Sequence, residues 1–207
     1  ILREYSRYFI GDRYTDPFAQ GLLALERNWR GPLAANASVY TTLEQFQAME
    51  RAAAPRDLRN WRFQQGLYRA YYDAYVRGRL LHEMTIEERA LEGLRTFRPG
   101  DSRRALAEAA RILDEAEEKP AADWRQRVYT LAEALFQSIR QQLSVERYGA
   151  IAVGRGATLD SLETPLNNSG WLFPRFAEAA ALEKEDERIA AIERILRWTD
   201  PGPGDHA

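Results

Sequence analysis

Apolar positions recur every three to four residues along most of this chain, and that spacing predicts helices. Leu2, Tyr5 and Phe9 form one stripe, predicting a first helix over about residues 1–10 that stops at Gly11. Phe18, Leu22, Leu25 and Trp29 predict a second over about 15–29. Gly31 and Pro32 end it, because proline lacks a donor and restricts the residue before it. Leu43, Phe46 and Met49 mark a third, shorter helix that Ser38 or Thr41 can cap. Pro55 suits the first turn of a fourth, over about 56–82. Its aromatic residues, Trp61, Phe63, Tyr68, Tyr71, Tyr72 and Tyr75, occupy more than one stripe, so it is expected to be covered on two sides. Thr85 and Glu88 read as a capping box for a fifth, with Ile86, Ala90, Leu94 and Phe97 inward and Pro99-Gly100 as the stop.

Asp101 or Ser102 suits the cap of a sixth helix reaching about Glu118, with Leu106, Ala109 and Leu113 inward. The seventh opens near Pro120 and holds Trp124, Val128, Leu131, Leu135, Ile139 and Leu143 on one face. From Tyr148 to about Phe173 the period breaks, and Gly149, Gly154, Gly156, Pro165 and Gly170 predict a loop-rich stretch. Two last helices are predicted over about 174–182 and 185–198. There is no alternating run of strand length and no fixed repeat. The expectation is therefore an all-α protein, an antiparallel array of about eight to nine helices. It is read as one domain over 1–199, followed by a proline- and glycine-bearing linker at 200–207. An opening at Ile1 and that linker predict a segment of a longer protein.

Charge narrows the partners. The 31 acidic residues against 29 basic ones leave a net charge of -2, so no concentrated basic surface is expected and nucleic acid is not a predicted partner. No apolar run is long enough for a membrane span. The absence of cysteine removes thiol catalysis and thiolate metal sites. His82 and His206 are the only histidines, and neither a histidine pair nor a phosphate-cradling glycine loop occurs. No metal and no cofactor is expected. Most carboxylates are placed where solvated charge belongs: Glu87, Glu88 and Glu185 fall at predicted helix starts, where the helix dipole favours them, and Asp114, Glu115, Glu117 and Glu118 precede a loop.

Two stretches differ by mixing glycine, amide, arginine and aromatic side chains. One carries Trp29, Arg30 and Asn36; the other carries Arg155, Asp160, Glu163, Asn167, Asn168 and Trp171. Carbohydrate sites use this mixture, because an aromatic face covers the apolar side of a sugar while amides and carboxylates take its hydroxyls. The same residues also have structural uses: asparagines favour turns, Asp160 suits a cap, and both tryptophans suit a core. An enzyme in its own right would need Asp160 and Glu163 as an acid and base pair, but nothing in the sequence tunes that pair, and no catalytic residue is assigned.

The opening Glu4-Tyr5-Ser6-Arg7-Tyr8-Phe9-Ile10-Gly11, followed by Gly21-Leu22-Leu23-Ala24-Leu25-Glu26, resembles the helical region after the catalytic barrel of large bacterial glycoside hydrolases. The α-glucuronidase and N-acetylhexosaminidase-like groups are the ones it resembles. The ending from Trp198 to Gly204 looks like a junction to a further domain in such proteins. The resemblance implies a helical accessory domain that supports the catalytic domain of the parent chain or its substrate cleft, with carbohydrate as a further partner and a periplasmic or extracellular setting. The paired catalytic acids of the barrel have no counterpart in this chain. The alternative from another class is a self-contained helical protein-interaction or scaffold module, motivated by the aromatic fourth helix.

Overall fold

A computed structural model describes residues 1–141 and 165–198. Helices take up 81% of the described residues, far above the ~30–35% of ordinary globular proteins, and no strand occurs among them. In chain order they are α1 (Leu2–Phe9), α2 (Thr15–Arg27), α3 (Ser38–Ala52), α4 (Pro55–Leu58), α5 (Trp61–Thr96), α6 (Ser102–Asp114), α7 (Ala122–Ile139), α8 (Ser169–Ala181) and α9 (Glu185–Leu196). Short 3-10 turns lie at Asp12–Tyr14, Leu33–Ala35 and Glu115–Glu117. The chain is an all-α array. No helix among the described residues is long and apolar enough to cross a membrane.

Three helix starts depart from the pattern along the sequence. The fourth and fifth predicted helices are one helix, α5, of 36 residues. The Thr85 hydroxyl bonds back to the Leu81 carbonyl at 2.7 Å, the habit of a threonine inside a helix rather than at its cap. At the other end Pro55 starts only the single turn α4. Asn60 then starts α5, its side-chain oxygen accepting the Arg62 N–H at 3.0 Å. The third departure is α8, which begins at Ser169, five residues before the predicted start, and carries Pro174 inside it. Glu87 of α5 anchors that start: its carboxylate accepts the Asn168 N–H at 2.7 Å and the Asn168 amide at 2.8 Å.

The chain forms two compact units. The first comprises Ile1–Gly78 with Ala121–Glu163. Its centre is a ring cluster: Phe18 stacks with Phe63 at 5.8 Å, meets Phe46 edge-on at 6.0 Å, and Tyr14 meets Phe63 at 5.3 Å. Gly66 of α5 explains how these rings approach the helix. A methyl group there would lie 2.7 Å from the Phe46 ring and 3.1 Å from that of Phe18. Val128, Leu131 and Leu135 of α7 are buried, as their spacing predicts, whereas Ile139 at the helix end is 37% exposed and Leu143 lies outside the described residues. Glu50 of α3 accepts the Tyr71 hydroxyl at 2.7 Å and the Arg127 Nε–H at 2.9 Å, bringing α3, α5 and α7 together with polar contacts.

The second unit comprises Arg79–Pro120 with Thr164–Ala207. Leu94, Leu106, Leu113, Leu172, Phe176 and Ile192 form its core, drawn from α5, α6, α8 and α9. An ion pair lies inside it. Arg79 donates to Glu83 at 2.5 Å, both side chains being 0% exposed, and Lys119 approaches the same carboxylate at 3.4 Å. The second Glu83 oxygen accepts the Leu166 N–H at 2.6 Å, which fixes the approach to α8. The start of α6 is capped from outside rather than by Asp101 or Ser102: Glu185 of α9 accepts the Gly100 and Ser102 N–H groups at 2.9 and 3.3 Å and the Ser102 hydroxyl at 2.6 Å. Arg188 holds Glu185 at 2.7 Å and also reaches the Leu182 and Glu183 carbonyls beyond the end of α8.

Candidate functional site

The first unit displays an aromatic corner just past the end of α2. The stripe Phe18, Leu22, Leu25, Trp29 outruns its helix, because α2 stops at Arg27 and Trp29 follows in a turn. Trp29 is consequently 68% exposed, where the earlier stripe members Phe18 and Leu25 are buried. So large an exposed indole is unusual, and it is held in place. The Arg69 guanidinium of α5 lies over its ring at 4.1 Å and stands 5.3 Å from the Tyr72 ring, which is 5.7 Å from Tyr68.

Buried polar groups fix Arg69 in turn. Its NH2 group meets Asp73 one helical turn on at 2.6 Å. The other Asp73 oxygen accepts the Asn28 amide at 2.9 Å, and the Asn28 carbonyl oxygen accepts the Thr42 hydroxyl at 3.1 Å. Burial pushes the Asp73 carboxyl up from its ordinary value, and the Arg69 charge and the Asn28 hydrogen bond oppose that shift. The chain Thr42–Asn28–Asp73–Arg69 thus runs from the interior to the face of Trp29, so the indole stands on a fixed support.

The loop after Trp29 is pinned as well. Asn36 donates to the Arg27 and Asn28 carbonyls at 3.0 and 3.2 Å, serving the end of α2. Arg77 donates to the Leu33 and Ala34 carbonyls at 3.1 and 2.9 Å. Arg30 stands exposed beside the corner. Of the first predicted stretch, Trp29 and Arg30 therefore face solvent, whereas Asn36 is spent on backbone. The exposed face of the indole, with guanidinium and phenol groups beside it, is chemically suited to stacking on the apolar side of a sugar ring.

The second predicted stretch divides. Arg155, Asp160 and Glu163 lie outside the described residues. Asn167 is buried, donating to the Glu83 carbonyl at 3.4 Å and accepting the Ser169 N–H at 3.1 Å. Asn168 is bound twice by Glu87. These two amides organise the start of α8. Trp171 is half-buried and stacks on Trp198 at 4.1 Å. The structure thus places Trp29, Arg30 and Asn36 in the first unit and Asn167, Asn168 and Trp171 in the second.

Arg69, Asp73 and Tyr72 escape a reading by motif. Their signal is the i,i+4 spacing of Arg69 with Asp73 and of Tyr68 with Tyr72 on one helix, which pairs side chains across a turn. Among the described residues no group of three His, Asp or Glu side chains is placed to hold a metal ion. The chain matches no protein-family model, no curated protein and no solved structure.

Proposed function

We propose that this chain is a helical accessory domain of a multidomain bacterial carbohydrate-active enzyme of the glycoside hydrolase kind, supporting the catalytic domain and its substrate. The observation that carries the reading is Trp29, exposed to 68% and held from beneath by Arg69. A protein gains nothing in its own core from an indole left in water, whereas a sugar ring gains a flat apolar partner. The resemblance of the opening segment to the region after glycoside hydrolase barrels supports the same reading.

Affinity electrophoresis of the isolated chain through gels containing soluble xylan, galactan or chitosan tests it. Retardation in one polysaccharide is expected, falling about tenfold in apparent affinity, or ~1.4 kcal/mol, in Trp29→Ala. Far-ultraviolet circular dichroism and melting should stay unchanged in that variant, because the side chain is exposed. Migration unaffected by any polysaccharide, or retardation that survives Trp29→Ala, would count against the proposal. A second reading, a helical protein-interaction module, draws on the exposed face of α1, where Tyr8 is 82% exposed and packs edge-on against Phe9 at 4.8 Å.

A further inference from the structure

The cleft between α8 and α9 in the second unit holds charged groups that its packing does not use. It encloses about 260 Å3 and is lined by Trp171, Arg175, Glu178 and Leu182 from one side of α8 and its end, and by Arg194 and Ile195 from α9. Trp171 lies flat on Trp198, with 13° between the rings, and the Arg175 guanidinium is 4.9 Å from the Trp171 ring centre. Several other arginines of this unit are matched to acids: Arg188 to Glu185, Arg197 to Glu193, Arg111 to Glu108 and Glu115, whereas Arg103 reaches the Leu182 carbonyl. Among the described residues, Arg175 and Arg194 meet no carboxylate, and Glu178 meets no cation. A guanidinium beside a ring keeps N–H edges for an anion, and it does not lose its proton at any ordinary pH.

We propose that this cleft binds a small amphipathic carboxylate, its anionic head paired with Arg175 and Arg194 and its planar or alicyclic body against Trp171, Leu182 and Ile195. The volume sets the size. It falls below the ~300–1,000 Å3 of sites for drug-sized ligands, so one or two rings fill it. Glu178 sets the charge. Two cations against one anion leave the lining with a single surplus positive charge, so a monocarboxylate is matched and a second acidic group would face Glu178. The inference is independent of the Trp29 surface, which belongs to the first unit.

Isothermal titration of the full 207-residue chain with 2-naphthoate, and with its uncharged counterpart 2-naphthamide, tests the proposal. Saturable binding of one naphthoate per chain is expected, with the amide at least tenfold weaker. Arg175→Gln combined with Arg194→Gln should bring naphthoate down to the level of the amide. Glu178→Gln should tighten naphthoate several-fold, a gain that damage to folding cannot mimic. Trp29→Ala should leave naphthoate binding unchanged even if polysaccharide binding is lost. Equal affinity for acid and amide, no saturable binding, an arginine double variant that binds as wild type, or weaker binding in Glu178→Gln would each overturn the assignment.

Discussion

Two glycines of α5 provide a controlled test of how the first unit packs. Gly66 and Gly78 both lie in helical backbone of that unit, and replacing a helix-interior glycine with alanine ordinarily stabilises by ~0.5–1 kcal/mol. At Gly78 the new methyl would sit 3.5 Å from the Tyr40 hydroxyl, an ordinary contact, so Gly78→Ala should gain about that much. At Gly66 it would sit 2.7 Å from the Phe46 ring, with the Phe18 ring at 3.1 and 3.2 Å. Carbon atoms are comfortable at ~3.5–4.0 Å, so the Phe46 ring must retreat by roughly 1 Å. It has nowhere to go, since Phe46 and Phe18 are 0% and 1% exposed and pack on one another. Overpacking of this kind costs ~1–3 kcal/mol. The helix gain is common to both variants, so the difference between them isolates the clash: Gly66→Ala should be ~1–3 kcal/mol less stable than Gly78→Ala. Urea denaturation followed by circular dichroism, with slopes compared to check that the unfolding unit is the same, measures it. Equal stabilisation by both changes would show that Phe46 does not pack on bare helix at Gly66.

Acid should act on the second unit through Glu185. Hydrogen bonds from Ser102 and the Arg188 guanidinium hold its carboxyl at about 2, below the ordinary 4.5. A depressed carboxyl stabilises fully above its unfolded pKa, so this contribution should fade as pH falls from about 4.5 towards about 2. Glu185→Gln should flatten that part of the stability-against-pH curve; an unchanged curve would remove Glu185 from the account. The buried pair gives a larger effect at neutral pH: Glu83→Gln removes the carboxylate that Arg79 and Lys119 share and should destabilise by ~3–5 kcal/mol, readable in thermal melts. A loss under about 1 kcal/mol would mean that water or another acid compensates Arg79.

Helix existence was legible wherever one stripe was long and uninterrupted. The α7 face Val128, Leu131, Leu135 and the α6 face Leu106, Ala109, Leu113 are buried as their spacing predicts. What local pattern could not supply was continuity. Thr85 with Glu88 carries the same residue types whether it opens a helix or lies within one, and the deciding contact is the Leu81 carbonyl four residues back. Pro174 misleads for a similar reason. Proline fits a first turn without loss, but inside α8 it forfeits one backbone bond, and a start anchored by Glu87 tolerates that. Trp29 was legible as a residue type and not as a surface feature, because its stripe continues past the end of its helix.

The carboxylates show why the rest was hidden. Glu185 sits in the first turn of α9, where the helix dipole favours it, whereas Glu87 lies inside α5; yet Glu87 serves the start of α8 and Glu185 the start of α6, 81 and 83 residues away in sequence. Glu83 likewise meets Leu166 from 83 residues away. The physics is the one that places acids at helix starts, orphan N–H groups seeking a negative partner, but it operates between helices. Composition reveals that such acids exist; only the fold determines which N–H groups they reach. The same holds at the surface, where Asp73 matters through Asn28, 45 residues before it, and through Arg69 beside it. A buried carboxylate joined to an exposed tryptophan by one arginine leaves no contiguous motif. It becomes visible only when burial, charge and exposure are read together along one side of α5.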